Sequence, residues 1–319
     1  MKRIALLGEC MIELNGAPFG AMHQTYGGDS LNTAVYLART AGKDASIEYV
    51  SALGCDPISD GMLARWQQEG VGTELVLRDN SRQPGLYLIQ LDKKGERTFL
   101  YWRNQSAARY MLQHPGFSEV ATKLAGMDMV YLSGISLAIL PHNDRLQLIK
   151  LLEALSGAGV EIIFDSNYRP ALWESVQHAR DCYEAVYALT SLALVTNDDE
   201  AALWGDANEE ATLVRLKSAG VKKAVVKMGA KGNYFEDFTT DTRTFVATRP
   251  VKAVVDTTSA GDSFNAGFIA GMLQGLSPVK CSEQGHLLAG TVIQHKGAII
   301  PAEVMSHIQF NETSLSLAE

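Results

Sequence analysis

The stretch Val251-Lys252-Ala253-Val254-Val255-Asp256-Thr257-Thr258-Ser259-Ala260-Gly261-Asp262-Ser263-Phe264 carries the densest chemical signal in the chain. A β-rich run ends at Asp256, small residues follow, and Asp262 opens a helix. Phe264, Phe268, Met272 and Leu276 recur every four positions and give that helix an apolar stripe. The small residues permit a tight turn whose backbone N–H groups point outward. With the helix N-terminus they form a hole for an anion. A carboxylate at the rim of such a hole can take a proton from a hydroxyl attacking a bound phosphate. Aspartate is also among the best helix N-caps, and the residues alone leave both readings open.

Other segments carry weaker signals. Gly27-Gly28-Asp29-Ser30-Leu31-Asn32-Thr33-Ala34 joins a glycine pair to a capped helix start. Asn197-Asp198-Asp199-Glu200 follows an apolar strand and puts acids in the first turn of a helix. Val226-Lys227-Met228-Gly229-Ala230-Lys231-Gly232 is a glycine turn that ends a strand. Asp165-Ser166-Asn167-Tyr168-Arg169-Pro170-Ala171-Leu172-Trp173 follows another strand, and ligands of open parallel sheets bind beyond such carboxyl ends. Gly54-Cys55-Asp56, Gly61 and Glu69-Gly70-Val71 punctuate the N-terminal part. Read singly, each is also an ordinary turn or helix start. There is no Gly-x-x-x-x-Gly-Lys-Ser/Thr element, which excludes a P-loop. The histidines are scattered, and His295 reads as a packing or surface residue.

These residues need a scaffold. Ile4 to Leu7, Ile47 to Leu53, Met129 to Leu132, Val160 to Phe164, Leu192 to Val195 and Ala224 to Lys227 are short and apolar on both faces, as parallel strands covered on two sides must be. Helical patterns such as Leu31 to Thr40 and Ala211 to Ala219 lie between them. The alternation predicts βαβ units and a doubly wound α/β sheet. Two segments break it, residues 10–28 and 85–104. In the second, Gly85 to Leu91 and Arg97 to Trp102 flank Asp92-Lys93-Lys94-Gly95 and predict a hairpin. A small accessory sheet follows, inserted into a core of residues 1–9, 29–84 and 105–319. Tyr87 and Tyr101 face each other across the hairpin, and Arg103 shares the face of Tyr101. Such a face suits a hydroxylated anion, because arginine offers a planar fork to a carboxylate. Cross-strand aromatic packing and a solvated strand end are the plainer readings.

Asp256 through Phe264 resembles the C-terminal signature of the ribokinase-like (pfkB) carbohydrate kinases. The other motifs resemble that family in order and spacing across nearly the whole chain. The resemblance implies a ribokinase-like, three-layer α/β/α fold with a small accessory β-sheet as a lid. It implies that Asp262 is the catalytic base and that the amides of Ala260, Gly261 and Asp262 hold the migrating phosphate. The family's usual form has glycine where this chain has Ser259, and the serine form is similar to the branch acting on 2-keto-3-deoxygluconate. Gly28, Asp29 and Asn32 are then sugar-binding, with Tyr87, Tyr101, Arg103, Ile135 and Arg169. The pattern around Arg169 is similar in fructose kinases also, and Arg103 does more to separate the two substrates. Lys227, Gly229, Gly232 and Ser259 fall to ATP. Asn197 and Glu200 fall to magnesium through water, with Asn197 also near the phosphates. A monovalent cation near Asp256 and Thr258 is implied by some members. The implied reaction is ATP-dependent phosphorylation at C6 of a small acidic sugar. A fructose kinase and a catalytically silent sugar sensor are the alternatives.

Composition bounds the rest. The chain has 319 residues with 46% hydrophobic and 20% charged, ordinary values for a packed core. A formal net charge of -8 argues against nucleic-acid binding. Cys10, Cys55, Cys182 and Cys281 have no metal or redox spacing and predict a reducing compartment. Glu9 interrupts the N-terminal apolar run too early for a signal peptide, and no run approaches a membrane span. A cytoplasmic protein is expected. Exposed edge strands of the lid predict a homo-oligomer, a dimer or higher.

Overall fold

Strands that are apolar on both faces must be covered on both sides, and this requirement organises the molecule. The computed structural model describes residues 1–17, 19–91 and 97–305. The strands in chain order are β1 (Lys2–Leu7), β2 (Met11–Gly16), β3 (Met22–Gly27), β4 (Ala45–Gly54), β5 (Val76–Asp79), β6 (Leu86–Leu91), β7 (Arg97–Trp102), β8 (Met129–Ser133), β9 (Glu161–Asp165), β10 (Thr190–Thr196), β11 (Lys223–Lys227), β12 (Gly232–Asp237) and β13 (Thr242–Ala247). The helices are α1 (Asp29–Ala41), α2 (Pro57–Gln68), α3 (Phe117–Leu124), α4 (Gly134–Ala138), α5 (His142–Gly157), α6 (Val176–Tyr187), α7 (Asn197–Trp204), α8 (Glu209–Ser218), α9 (Ala260–Leu273), α10 (Pro278–Val292) and α11 (Ala302–Met305).

A nine-stranded sheet runs in the order β13-β12-β11-β10-β9-β8-β1-β4-β5. It is parallel from β11 to β5, and β12 and β13 add an antiparallel edge. Side chains alternate across it. Ala5, Leu7, Val130, Leu132, Ile162 and Phe164 pack on one face. Ile4, Leu6, Met129, Tyr131 and Ile163 pack on the other, against residues of α1, α9 and α10. All the predicted buried strands are present.

The parallel register aligns the carboxyl ends. Ser133 pairs with Asp165, and Thr196 with Lys227. Chain leaves this edge at α4, at the Ser166–Trp173 loop and at α7. Close approach is built in at Gly134, where a Cβ would stand 1.8 Å from the Tyr183 hydroxyl and 2.1 Å from the Ser166 carbonyl. Gly134→Ala is therefore expected to lose at least about 1–3 kcal/mol of stability, measured by urea unfolding.

The segments that broke the α/β pattern carry a second sheet, ordered β3-β2-β6-β7. Tyr87 and Tyr101 are directly opposed in it, as predicted. The expected turn at Asp92 to Gly95 lies outside the described residues, as does the chain after 305. Two local expectations are corrected. Val251 to Asp256 is not a strand; Val254 and Val255 are exposed, and the Val255 and Asp256 amides donate instead to the Ile293 carbonyl. Leu276 lies beyond the end of α9, so the apolar stripe is shorter than its period suggested.

Candidate active site

Helix α9 starts in the loop that the sequence singled out. Ser259 caps it in the left-handed conformation, φ 65° and ψ 13°. Glycine would enter that region without a Cβ penalty. Relief of strain and greater unfolded-state freedom oppose each other in Ser259→Gly. The substitution is expected to shift stability by less than about 1 kcal/mol and to keep activity. β-Branched Ser259→Val should lose about 1–2 kcal/mol or more, and thermal unfolding of the pair checks both.

Ala260, Gly261 and Asp262 are the first residues of α9. The Ala260 N–H donates to the Thr257 carbonyl at 3.2 Å. Among the described residues the Gly261 and Asp262 amides have no backbone acceptor, as first-turn amides do not. Asp256 braces the loop: one carboxylate oxygen accepts from the Thr258 N–H (3.0 Å) and hydroxyl (2.6 Å), the other from the Gly297 N–H (2.9 Å).

Asp262 is not the cap of its own helix. Its Oδ2 accepts from Asn32 Nδ2 at 2.8 Å, across to α1. Thr33 adds a second tie, its hydroxyl reaching the Asp262 carbonyl (3.3 Å) and the Asp29 carbonyl (3.1 Å). Burial, and then the Asp29 carboxylate nearby, push the Asp262 carboxyl up to about 7, against the lowering effect of Asn32. Asp29 is itself raised by burial. Its Oδ2 accepts from Ser133 Oγ (2.5 Å) and Asn167 Nδ2 (2.7 Å), so it joins α1 to the ends of β8 and β9. Asn167 holds a positive φ of 32°, a conformation asparagine tolerates better than most residues.

A buried polar layer lies beneath. Asp165 Oδ2 accepts from Asn265 Nδ2 (3.0 Å) and the Tyr131 hydroxyl (3.3 Å). Lys227 Nζ donates to Asn265 Oδ1 (2.9 Å) and lies 3.4 Å from Asp165 Oδ1. Lys227 thus points inward, into this buried layer. Its ammonium still underlies the α9 turn, 3.8 Å from where a Gly261 Cβ would stand. The sequence reading missed Tyr131 and Asn265; the spacing of Asn265 three residues after Asp262, on the inner face of α9, was the available signal.

Gly229 and Gly232 take positive φ in the turn between β11 and β12. At Gly232 a Cβ would collide with the Val246 carbonyl on β13, at 2.1 Å. Past the end of β13 opens a cleft of about 420 Å³ lined by Arg249, Lys252, Glu283, His286, Gly290 and Gln294 among others. Burial pushes His286 down to about 4, and its Nδ1 has no partner among the described residues. Sequence reasoning missed this cleft, because its lining comes from a loop and α10 with no motif.

On the small sheet the Tyr87 and Tyr101 rings lie 6.0 Å apart, and the Arg103 guanidinium 5.9 Å from the Tyr101 ring. The Tyr87 hydroxyl donates to Glu13. Arg103 is not the free fork that was expected: it is buried and paired with Glu9. Neither glutamate was given a place in the site from the sequence. Gly28 packs on the Glu9 backbone, where a Cβ would stand 2.2 Å from the carbonyl oxygen. Ile135 is half-buried against the core. Arg169 donates to the Tyr168 carbonyl (2.7 Å) and Asp199 (3.3 Å).

Glu200 also departs from its expected place. It is fully buried, accepts from the Tyr187 hydroxyl at 3.0 Å and is ion-paired with Arg215. The helix period turns the fourth residue of Asn197-Asp198-Asp199-Glu200 into the core. Asn197, first in α7, and Asp199 remain partly exposed. Among the described residues no three His, Cys, Asp or Glu side chains are grouped to hold a metal ion. The donor set therefore fits a magnesium ion held largely by phosphate oxygens and water, with Asn197 and Asp199 at hand, and does not fit direct ligation by Glu200. The N-terminal motif proves architectural, since Asp56 caps α2 and Glu69 pairs with Arg39.

The nine-stranded sheet, the small second sheet and the acid at the start of α9 define a ribokinase-like α/β kinase fold. The pattern of the pfkB family carbohydrate kinases matches residues 1–305, and the chain belongs to that family. It is similar to the 2-dehydro-3-deoxygluconokinase of Haemophilus influenzae, 56% identical over 97% of this chain and 99% of that one. It is similar also to the 2-dehydro-3-deoxygluconokinase of Dickeya dadantii, 46% identical over 95% and 98%. Among solved structures, a PfkB protein from Polaromonas sp. JS666 superposes with a TM-score of 0.78 at 26% identity, covering 92% of this chain and 96% of that one. The protein is therefore a sugar kinase, and use of ATP and magnesium follows from the family. No helix among the described residues is long and apolar enough to cross a membrane.

Proposed function

We propose that this kinase transfers the γ-phosphoryl group of ATP to the C6 hydroxyl of 2-keto-3-deoxygluconate. The observation that carries the chemistry is the Asp262 carboxylate, bonded across to Asn32 on α1 and set beside amides that lack backbone acceptors. The names of the two curated relatives support the substrate. The C6 oxygen attacks phosphorus, its proton passes to Asp262, and the bond from phosphorus to the ADP oxygen breaks. The Gly261 and Asp262 amides, with a contribution from Ala260, hold the moving phosphoryl group. Bound magnesium supplies charge neutralisation at the phosphates. Lys227 adds a fixed positive charge below the turn. The cleft beside α10 suits the nucleotide base, with Gly229 and Gly232 letting backbone approach the phosphates.

Gly28, Asp29 and Asn32 border the sugar, and the small sheet covers it as a lid with Tyr87, Tyr101 and Arg103. Ile135 and Arg169 complete the wall. A monovalent cation near Asp256 and Thr258 is the open part of this reading, and rates with and without potassium decide it. The exposed edge strand β7, with Phe99, Leu100, Tyr101 and Trp102 open to solvent, suits pairing with a second copy. Sedimentation of a Trp102→Glu variant tests that dimer. A cytoplasmic place belongs to this reading, because the reaction consumes ATP.

The deciding experiment is ADP release with 2-keto-3-deoxygluconate and with fructose. A strong preference for the acid is expected, and Arg103→Ala should remove most of it. Equal rates on both sugars, or a uniform loss in the variant, would end this reading.

A further inference from the structure

Glu9 and Arg103 stand at two of the four places where the chain passes between the sheets. Glu9 lies between the end of β1 at Leu7 and the start of β2 at Met11, and Arg103 directly follows β7. Both are buried, at 3% and 9% exposure. Arg103 donates through Nε (2.8 Å) and Nη2 to one oxygen of Glu9, Oε2. The other oxygen, Oε1, is buried without a hydrogen-bond partner among the described residues. Gly85 makes room for the pair: a Cβ there would stand 2.7 Å from Oε1 and 3.2 Å from Arg103 Cβ. The carbonyl of Glu9 packs on Gly28, so the same residue touches the sugar-side glycine and the lid arginine.

A guanidinium cannot shed its proton in a protein. An isolated arginine at so buried a place would be a sink for any small anion. Here the chain supplies its own carboxylate. Nε and part of Nη2 are used by Glu9, and the remaining donors are those of the opposite edge. An arriving carboxylate can bond to that edge, yet it meets a pair that is already neutral. Its Coulomb gain is correspondingly smaller. The hydroxyl contacts of the sugar must then contribute more of the affinity, and anions without them are disfavoured.

We infer that Glu9 is the built-in counter-ion and positioning residue of Arg103, holding the fork in place while tempering its affinity for anions. The inference rests on the reading of Arg103 as the group that meets the substrate carboxylate. It predicts an effect opposite in sign to the loss of Arg103.

Glu9→Gln keeps an oxygen for hydrogen bonding and removes the charge. Its KM for the acidic sugar is expected to fall about tenfold relative to its KM for the primary amide of the same sugar. Acetate, used as a bare carboxylate probe, should inhibit it at lower concentration than it inhibits the wild type. A KM for the acid that rises, or that moves in step with the amide, would overturn the proposal.

A buried change of charge can also prevent folding, and a second comparison then decides. Arg103→Gln leaves the Glu9 carboxylate facing the substrate carboxylate, whereas Arg103→Gln with Glu9→Gln leaves a neutral pair. The double variant is expected to bind the acid about tenfold more tightly than Arg103→Gln, with no such gain for the amide. Equal binding by the two would overturn the role of Glu9 and leave that of Arg103 standing. No selective loss of the acid in Arg103→Gln itself would overturn both.

Discussion

Asp262→Asn is expected to lower kcat by about two to four orders of magnitude, the usual worth of a positioned general base. The amide keeps the size of the side chain and can still bond to Asn32. Circular dichroism and binding of the acidic sugar should therefore be nearly unchanged. The wild-type profile of kcat/KM should rise with pH through about 7, because burial and Asp29 hold the proton on Asp262 below that value. The variant should lose this limb. Near wild-type turnover in Asp262→Asn would remove the base from the mechanism.

The same perturbation has a sign for stability. The folded-state value of Asp262 lies above the ordinary 3.8, so the contribution of this group is full at low pH. It is lost as pH rises from about 4 through about 7. Asp262→Asn does not lose it. The melting temperature of the variant relative to wild type should thus climb between pH 4 and pH 7 and level off above. A variant that is relatively weaker at pH 8 than at pH 4 would contradict the burial of charge inferred here.

Arg215→Ala is expected to destabilise the fold by about 3–5 kcal/mol at pH 8, since it strands Glu200 as a buried carboxylate without its ion pair. Burial already raises the Glu200 carboxyl. A raised folded value contributes stability at low pH that is lost as pH rises through it. Without Arg215 that value rises further, so the deficit should be smaller at pH 5 than at pH 8. Urea unfolding at both pH values measures this. The magnesium concentration giving half-maximal rate should stay the same, because Glu200 faces the core. A large shift in that requirement would return Glu200 to the metal.

How far the sequence could be read depended on the kind of signal. The six buried strands were legible because each is apolar on both faces, and only a covered parallel strand tolerates that. The opposition of Tyr87 and Tyr101 was legible because a short hairpin leaves little choice of register. The strand expected at Val251 to Asp256 was misread. β-Branched residues there suggested pairing, but among the described residues the Val255 and Asp256 amides donate to the Ile293 carbonyl instead of to a strand. The burial of Glu200 was not legible, because a motif names residue types without stating which helix face each will occupy.

The sequence alone determined the layered α/β architecture, the insertion of a small sheet and the acid beside a small-residue turn. Those features are encoded by local period, turn chemistry and spacing. Tertiary structure alone decided which charges meet. It set Asp262 against Asn32, Asp29 against Ser133 and Asn167, Lys227 against Asp165, and Arg103 against Glu9. These partners lie far apart along the chain. Their pairing depends on which parallel strands adjoin and on how α1 packs against α9, and no short-range pattern carries that information.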